Sequence, residues 1–340
     1  MNFLKNLAIS NECLRLISEL DEFKGRWQAL RQLAPDRLSG LRRVATIESV
    51  GSSTRIEGAK LTDKEVDRLL SGLDLRSFRS RDEQEVAGYA EAMELVFSSW
   101  SEMALSENLL KQLHGVLLRY SDKDERHRGE YKAVPNQVGA CVVVQTATPF
   151  DTPRLMEELV RWTTGALTAA EYHPLLVMGT FVVRFLAVHP FQDGNGRLAR
   201  VSTTLLLLRS GYLYVPYASL ERVIEENKDE YYRSLRKAQS TLDKDESQLA
   251  TWLLFFLRCL VEQKNVLSRK VEQERLMTAL APLDEQLLRL AREHGRLTLG
   301  AAAKLTQANR NTLKVHLRQL VEAGRMRLRG KGRASWYEPA

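Results

Sequence analysis

A mainly α-helical fold with one short β-hairpin, followed by a small basic C-terminal module, is what this sequence of 340 residues predicts. Three observations lead there. Prolines are scarce, 9 in all, and apolar residues recur at three- and four-residue spacing along residues 65–73, 109–118 and 155–162, the period of amphipathic helices. Residues 129–149 break that period: the β-branched run Val142-Val143-Val144 follows the turn formers Pro135, Asn136 and Gly139, which predicts a hairpin or flap. The formal charge of +7 is unevenly placed, because residues 283–340 hold 12 Lys and Arg against 5 Asp and Glu while the preceding 282 hold 38 of each sign. Any polyanion contact is therefore expected in the tail.

A chain of this length predicts two or three packed units. We read residues 1–84 as an N-terminal helical region, 85–262 as the core, 263–282 as a helical linker with a hinge at Ala281-Pro282, and 283–340 as a separate module. No run of eighteen apolar residues occurs and the first residues lack the pattern of a secretory leader, so the expectation is a cytoplasmic protein without membrane contact. Cys13, Cys141 and Cys259 are odd in number and far apart, which suits buried thiols better than disulfides or a zinc site.

The chemistry concentrates in His189-Pro190-Phe191-Gln192-Asp193-Gly194-Asn195-Gly196-Arg197-Leu198-Ala199-Arg200. An apolar helix over residues 175–188 must break at Pro190 and the Asp-Gly-Asn-Gly run, and a second helix is expected over 198–208. Glycines 194 and 196 permit backbone angles closed to other residues, so successive N–H groups can converge at a helix start and cradle phosphate. His189, as a histidine, can take a proton near neutral pH, Asp193 can hold Mg²⁺, and Arg197 and Arg200 can face phosphate oxygens. Together these groups suit phosphoryl transfer. The blander alternative is a helix-ending core histidine followed by an ordinary glycine turn.

This stretch resembles the signature of Fic proteins, His-Pro-Phe-x-Asp/Glu-Gly-Asn-Gly-Arg-x-x-Arg, at every defined position, and the likeness extends over residues 85–260. The resemblance implies a Fic-type helical core with a β-hairpin flap, and an enzyme that moves AMP from ATP onto a Ser, Thr or Tyr hydroxyl of a target protein, or of itself. It makes His189 the general base and Asp193 the Mg²⁺ ligand. Gly194, Asn195, Gly196 and Arg197 would steady the phosphates and Arg200 would reach the γ-phosphate. The retained Asp193 and Gly196 resemble the AMP-transferring branch rather than relatives that transfer phosphate. Gly129-Glu130-Tyr131-Lys132 resembles a Gly-x-aromatic-Arg segment of the family with Lys in place of Arg, and Gln137, Val138 and Gly139 fall at the flap tip, where a target segment would add as a strand. Tyr231, Tyr232 and Gln239 fall where relatives line the nucleoside pocket; aromatics on a half-buried helix are the competing reading.

Upstream, a short helix is expected within residues 42–58, ending Ser53-Thr54-Arg55-Ile56-Glu57-Gly58. This is similar to the family's inhibitory motif, Ser/Thr-x-x-x-Glu-Gly/Asn. That likeness implies that Glu57, beside Ser53, pairs with Arg200 and fills the γ-phosphate space. Thr54 and Glu57 also fit a capping box with Gly58 as a helix stop.

Residues 283–340 read as helix, break at Gly295, short helix, turn, longer helix from Asn311 to Glu322, then a basic hairpin alternating Met326 and Leu328 with arginines. That is the pattern of a winged helix-turn-helix, with Arg310, Lys314 and Arg318 on or near the recognition helix. Such a module suits DNA phosphates, and equally a homodimer or target-docking role. Two other functions stay open at this point: a DNA-binding regulator whose core senses nucleotide or modifies itself, and an enzyme that removes AMP with Glu57 orienting a water.

Overall fold

The computed structural model describes residues 3–5, 7–30, 35–72, 78, 80–138, 144–242, 247–330, 332 and 335–340. It divides into two compact units, Met1–Leu267 and Ser268–Ala340.

In the first unit α1 (Asn11–Leu30), α2 (Pro35–Ile56), α3 (Asp63–Ser71), α4 (Arg81–Ser99) and α5 (Glu107–Leu117) precede the flap. The flap is β1 (Gln137–Val138) paired antiparallel with β2 (Val144–Gln145), Gln137 opposite Gln145. Then follow α6 (Thr152–Ala169), α7 (Pro174–Val188), α8 (Asn195–Arg209), α9 (Leu220–Glu226), α10 (Lys228–Thr241) and the first part of α11 (Ser247–His294), up to Leu267. The mainly helical class and the two-stranded flap are as the residue pattern predicts.

α7 and α8 form the centre of this unit. Leu175, Val177, Met178, Phe181, Val183 and Phe185 of α7 are buried, as are Leu198, Val201, Leu205 and Leu207 of α8; α7 is apolar nearly all round and must be enclosed, whereas α8 is enclosed together with the polar Arg197, Arg200, Ser202 and Thr203. α6 covers α7, while α4 and α5 cover α8. α11 approaches α7 at Gly179, where an added Cβ would lie 2.5 Å from Leu253 Cδ2, and the Trp252 indole donates to the Gly179 carbonyl at 2.8 Å. Helix starts are written locally: Ser80, Ser106 and Ser219 each accept from the backbone amide three residues on. Cys13 and Cys259 are free, buried thiols; Cys141 lies outside the described residues.

Two expectations change here. Thr54 does not cap a helix: it lies in the last turn of α2, its hydroxyl donating back to the Val50 and Gly51 carbonyls at 3.0 Å each. Gly58, at φ +109°, is the stop, and the true capping box is Thr62 with Glu65 at the start of α3. At Ala281-Pro282, where a break is expected, α11 continues through both residues. A proline removes one amide from the ladder and crowds one carbonyl, a local cost that the rest of a long helix outlasts.

The second unit contains the end of α11, α12 (Leu299–Thr306), α13 (Arg310–Glu322) and the antiparallel pair β3 (Met326–Arg329) and β4 (Trp336–Pro339). Gly295, at φ +67°, follows the end of α11. Leu287, Ala291, Leu297, Ala302, Leu313, Leu317, Leu320 and Met326 make its core. Buried His316 on α13 bonds Asp284 at 2.7 Å. Leu328 is 50% exposed, so the expected inward alternation of β3 holds for Met326 alone. Among the described residues, no helix of the chain is long and apolar enough to cross a membrane.

Candidate active site

α7 stops at Val188 because His189 takes the left-handed conformation, φ 50°, ψ 61°, and Pro190 follows. The chain turns at Phe191-Gln192-Asp193 and enters α8 through Gly194, left-handed at φ 76°. The Asn195 side chain braces this turn from within: its Oδ1 accepts from Phe191 N at 2.9 Å and its Nδ2 donates to Phe191 O at 2.7 Å. Asn195 is thus spent on loop geometry. The start of α8 leaves its first amides without intrahelical acceptors and carries the positive end of the helix dipole.

Burial and the nearby Lys132 ammonium push His189 down to about 4, outweighing the Leu186 carbonyl and the Glu57 and Asp193 carboxylates. The ring is neutral at pH 7, and its Nδ1 is buried without a well-formed hydrogen bond. Lys132 itself is 3% exposed, and burial pushes it down to about 8, so it still carries its charge at pH 7.

Asp193 stands between two cations. Its Oδ2 lies 3.0 Å from Arg81 Nη2 and 3.4 Å from Arg197 Nη2, and its Oδ1 accepts from Gly194 N at 2.6 Å. Burial raises this carboxyl, but Arg197, the Gly194 amide and Arg81 outweigh burial and hold it below the ordinary carboxylate range. Arg197 is buried and 3.3 Å from Glu85 Oε2, with its Nε lacking a hydrogen-bond partner. Arg81, Glu85 and His114 were not singled out in the sequence. His114 is fully buried, stacks on Phe191 at 3.9 Å, accepts from Gly129 N at 3.0 Å and so must donate from Nε2 to the Asp193 carbonyl, also at 3.0 Å. A histidine on an amphipathic helix carries no sequence sign of such a task.

Arg200, buried one turn further along α8, has its Nε 2.8 Å from Ser53 Oγ, and its Nη2 3.0 Å from Ser53 O and 2.8 Å from Glu57 Oε1. Burial lowers its pKa, but the charge and hydrogen bond of Glu57 together with Tyr231 and Tyr89 outweigh burial, and the net shift is upward. The Glu57 carboxylate also lies over Gly196, where an added Cβ would collide with Oε1. Arg55 anchors this end of α2 by bonding Glu225 at 2.6 Å and the Leu61 carbonyl at 2.9 Å.

The remaining residues named from the sequence are more scattered. Tyr231 is 3% exposed and lines a small apolar cavity with Arg200, Val182 and Trp252. Tyr232 is half-buried, its hydroxyl 3.4 Å from the Ile56 carbonyl. Gln239 faces a different cavity of about 580 Å³ with Thr146, Thr148 and Val188. Tyr231 and Gln239, eight residues and about two turns apart on α10, line two different cavities. Gln137 and Val138 form β1, while Gly139 lies outside the described residues.

Residues 104–207 match the model of the Fic/DOC family. The chain is 25% identical over 247 residues to protein adenylyltransferase Fic of Drosophila mojavensis and 26% identical to that of Drosophila virilis, each alignment covering 72% of this chain. It spans about half the length of these curated relatives, 45% and 47%. A Fic family protein from Desulfovibrio desulfuricans superposes with a TM-score of 0.64 at 24% identity, over 98% of this chain and 97% of that one. A Fic domain containing signaling protein from Bacteroides thetaiotaomicron gives 0.64 at 22% identity, over 75% and 98%. Residues 104–207 thus match the Fic/DOC family model, Fic proteins are among the chain's homologues, and the solved structures share its fold.

Proposed function

We propose that the chain is a protein adenylyltransferase, autoinhibited by Glu57. The observation that carries this reading is the neutral His189 six residues before the start of an α8 whose first turns carry Arg197 and Arg200. ATP would lay its phosphates on the α8 amides. His189 takes the proton of a target Ser, Thr or Tyr hydroxyl as that oxygen bonds the α-phosphorus; the bond to the β-phosphate oxygen breaks in line and pyrophosphate leaves. Arg197 steadies the phosphates and Arg200 binds the γ-phosphate.

The donor set of the loop fits Mg²⁺ held mainly by phosphates, since Asp193 offers one half-exposed carboxylate. The ion would supply charge neutralisation there. Asp193 would have to give up its bond to Arg81.

Glu57 presents its carboxylate to Arg200 and over Gly196, the space and the cation a γ-phosphate needs. Labelled ATP with cell lysate tests the whole reading. Label on lysate proteins or on the chain itself, stronger with Glu57→Gly and absent with His189→Ala, is expected; no label with Glu57→Gly protein would reject transfer. Removal of label from a pre-modified protein by the parent, lost in Glu57→Gly, would instead favour AMP removal.

A second reading concerns residues 283–340. Arg310, Lys314 and Arg318 are exposed on α13, and Arg325, Arg327 and Arg329 follow in and before β3; among them only Arg318 and Arg329 have carboxylate partners among the described residues, Glu322 and Glu338. Unpaired exposed arginines favour duplex DNA as a partner. Fluorescence polarisation of labelled duplex at two salt concentrations tests it, and affinity independent of salt would reject it.

A further inference from the structure

The turn that carries His189 is held by more than its own residues. Each of its four successive carbonyls accepts a hydrogen bond from residues 132–136, just before the flap. Lys132 Nζ donates to Val188 O at 3.0 Å, Asn136 Nδ2 to His189 O at 3.2 Å, Lys132 N to Pro190 O at 2.8 Å, and Asn136 Nδ2 to Phe191 O at 2.7 Å. The same groups close the base of the flap: Lys132 Nζ donates to Asn136 Oδ1 at 2.9 Å and to Thr146 Oγ1 at 3.1 Å, and Thr146 Oγ1 lies 2.7 Å from Asn136 Oδ1.

A helix that ends in a left-handed histidine followed by proline leaves its last carbonyls without amide partners. Buried carbonyls need donors. A backbone amide could serve one of them, whereas an ammonium with three donors and a carboxamide with two can serve several at once. Burying an ammonium is costly unless such bonds satisfy it, so Lys132 at this place is a specific device rather than filler.

We propose that Lys132 and Asn136 are positioning residues for His189, clamping its turn to the base of the flap so that the base and the flap move as one piece. The proposal rests on the adenylyl-transfer reading of His189. A target strand that pairs with the flap edge is then set in register with the imidazole, because both hang from the same hydrogen-bonded knot. Pro135, which lacks an amide, sits inside the segment, so the donors to the turn are the Lys132 amide and the side chains of Lys132 and Asn136.

The test uses the full chain carrying Glu57→Gly, with Lys132→Met, Asn136→Ala and Lys132→Arg added singly. Misplacing a base by about an ångström costs about 10²-fold, so kcat falls by about that factor in the first two. Nucleotide affinity, by equilibrium dialysis, stays within about twofold, since the clamp acts on the base and not on the phosphates. Lys132→Arg, which keeps the donors, retains kcat within about fivefold. If Lys132→Met does not fold, Asn136→Ala carries the comparison. Unchanged kcat in Asn136→Ala, or a loss of nucleotide affinity as large as the loss of kcat, would overturn the proposal. The ¹H–¹³C ring signals of His189, assigned with His189→Ala, report the clamp without turnover and are expected to shift in Asn136→Ala. Should the Glu57→Gly background transfer no AMP, the functional reading falls by itself; shifted ring signals still uphold the clamp, and unshifted ones overturn it too.

Discussion

Glu57 Oε1 lies 2.8 Å from Arg200 Nη2, across 143 residues of chain, and the same guanidinium takes both the hydroxyl and the carbonyl of Ser53. One carboxylate oxygen, not two, makes the pair. The partner burials are unequal: the Arg200 side chain is 4% exposed and that of Glu57 is 32%. The arginine is held within the fold, and the glutamate is the more exposed partner.

Glu57→Gly should therefore release Arg200 without unfolding the site. A hydrogen bond to a charged group is worth about 1.5–3 kcal/mol, and partial exposure of Glu57 places it at the lower end, so transfer should rise about tenfold, with a hundredfold as the ceiling. Initial rates of AMP incorporation check this, with the Glu57→Gly, His189→Ala double variant as the blank. An unchanged rate would remove Glu57 as an inhibitor.

His189→Ala should lower transfer by about 10²–10⁴-fold while nucleotide still binds. The pH profile follows with a definite sign. The active base is the neutral ring, its pKa is pushed down to about 4 with Glu57 present, and removing the Glu57 charge lowers it further, so kcat/KM of the Glu57→Gly protein should stay flat from pH 7 to pH 5.5 and show no acid limb above about 4. An acid limb near the free-histidine value of about 6.5 would contradict the burial argument.

Asp193→Ala should suppress transfer in a way that added Mg²⁺ relieves only in part, since the carboxylate orients an ion as well as attracting it. Arg81→Gln, which removes one cation at 3.0 Å from Asp193, should lower the Mg²⁺ concentration for half-maximal rate. Titrations that coincide for all three proteins would count against Asp193 as the ligand.

Ser53→Ala strips the hydroxyl from the buried Nε of Arg200 and leaves that donor unsatisfied. The expected loss of stability is about 1–3 kcal/mol, read from urea melts. A change below about 0.5 kcal/mol would mean that Arg200 finds another acceptor.

Deleting residues 283–340 should leave self-modification measurable and change which lysate proteins are labelled, because the net positive charge of the sequence resides there. Identical band patterns with and without these residues would show that they do not select targets.

The sequence by itself determined the helical periodicity, the hairpin, the break at Pro190 and the glycine loop into α8, because each depends on backbone angles that particular residues permit or forbid over a few positions. The pairing of Glu57 with Arg200 was legible only through resemblance, since Thr54 and Glu57 satisfy a capping pattern equally well until the true end of α2 is seen. Tertiary structure alone decided the rest. Lys132, Asn136, His114, Arg81 and Glu85 reach the 188–200 segment from 50 to more than 100 residues away, and a side chain acquires a partner at that range only when helices pack. Tyr231 and Gln239 were parted for the same reason: periodicity says which residues share a helix face, and packing says what that face meets.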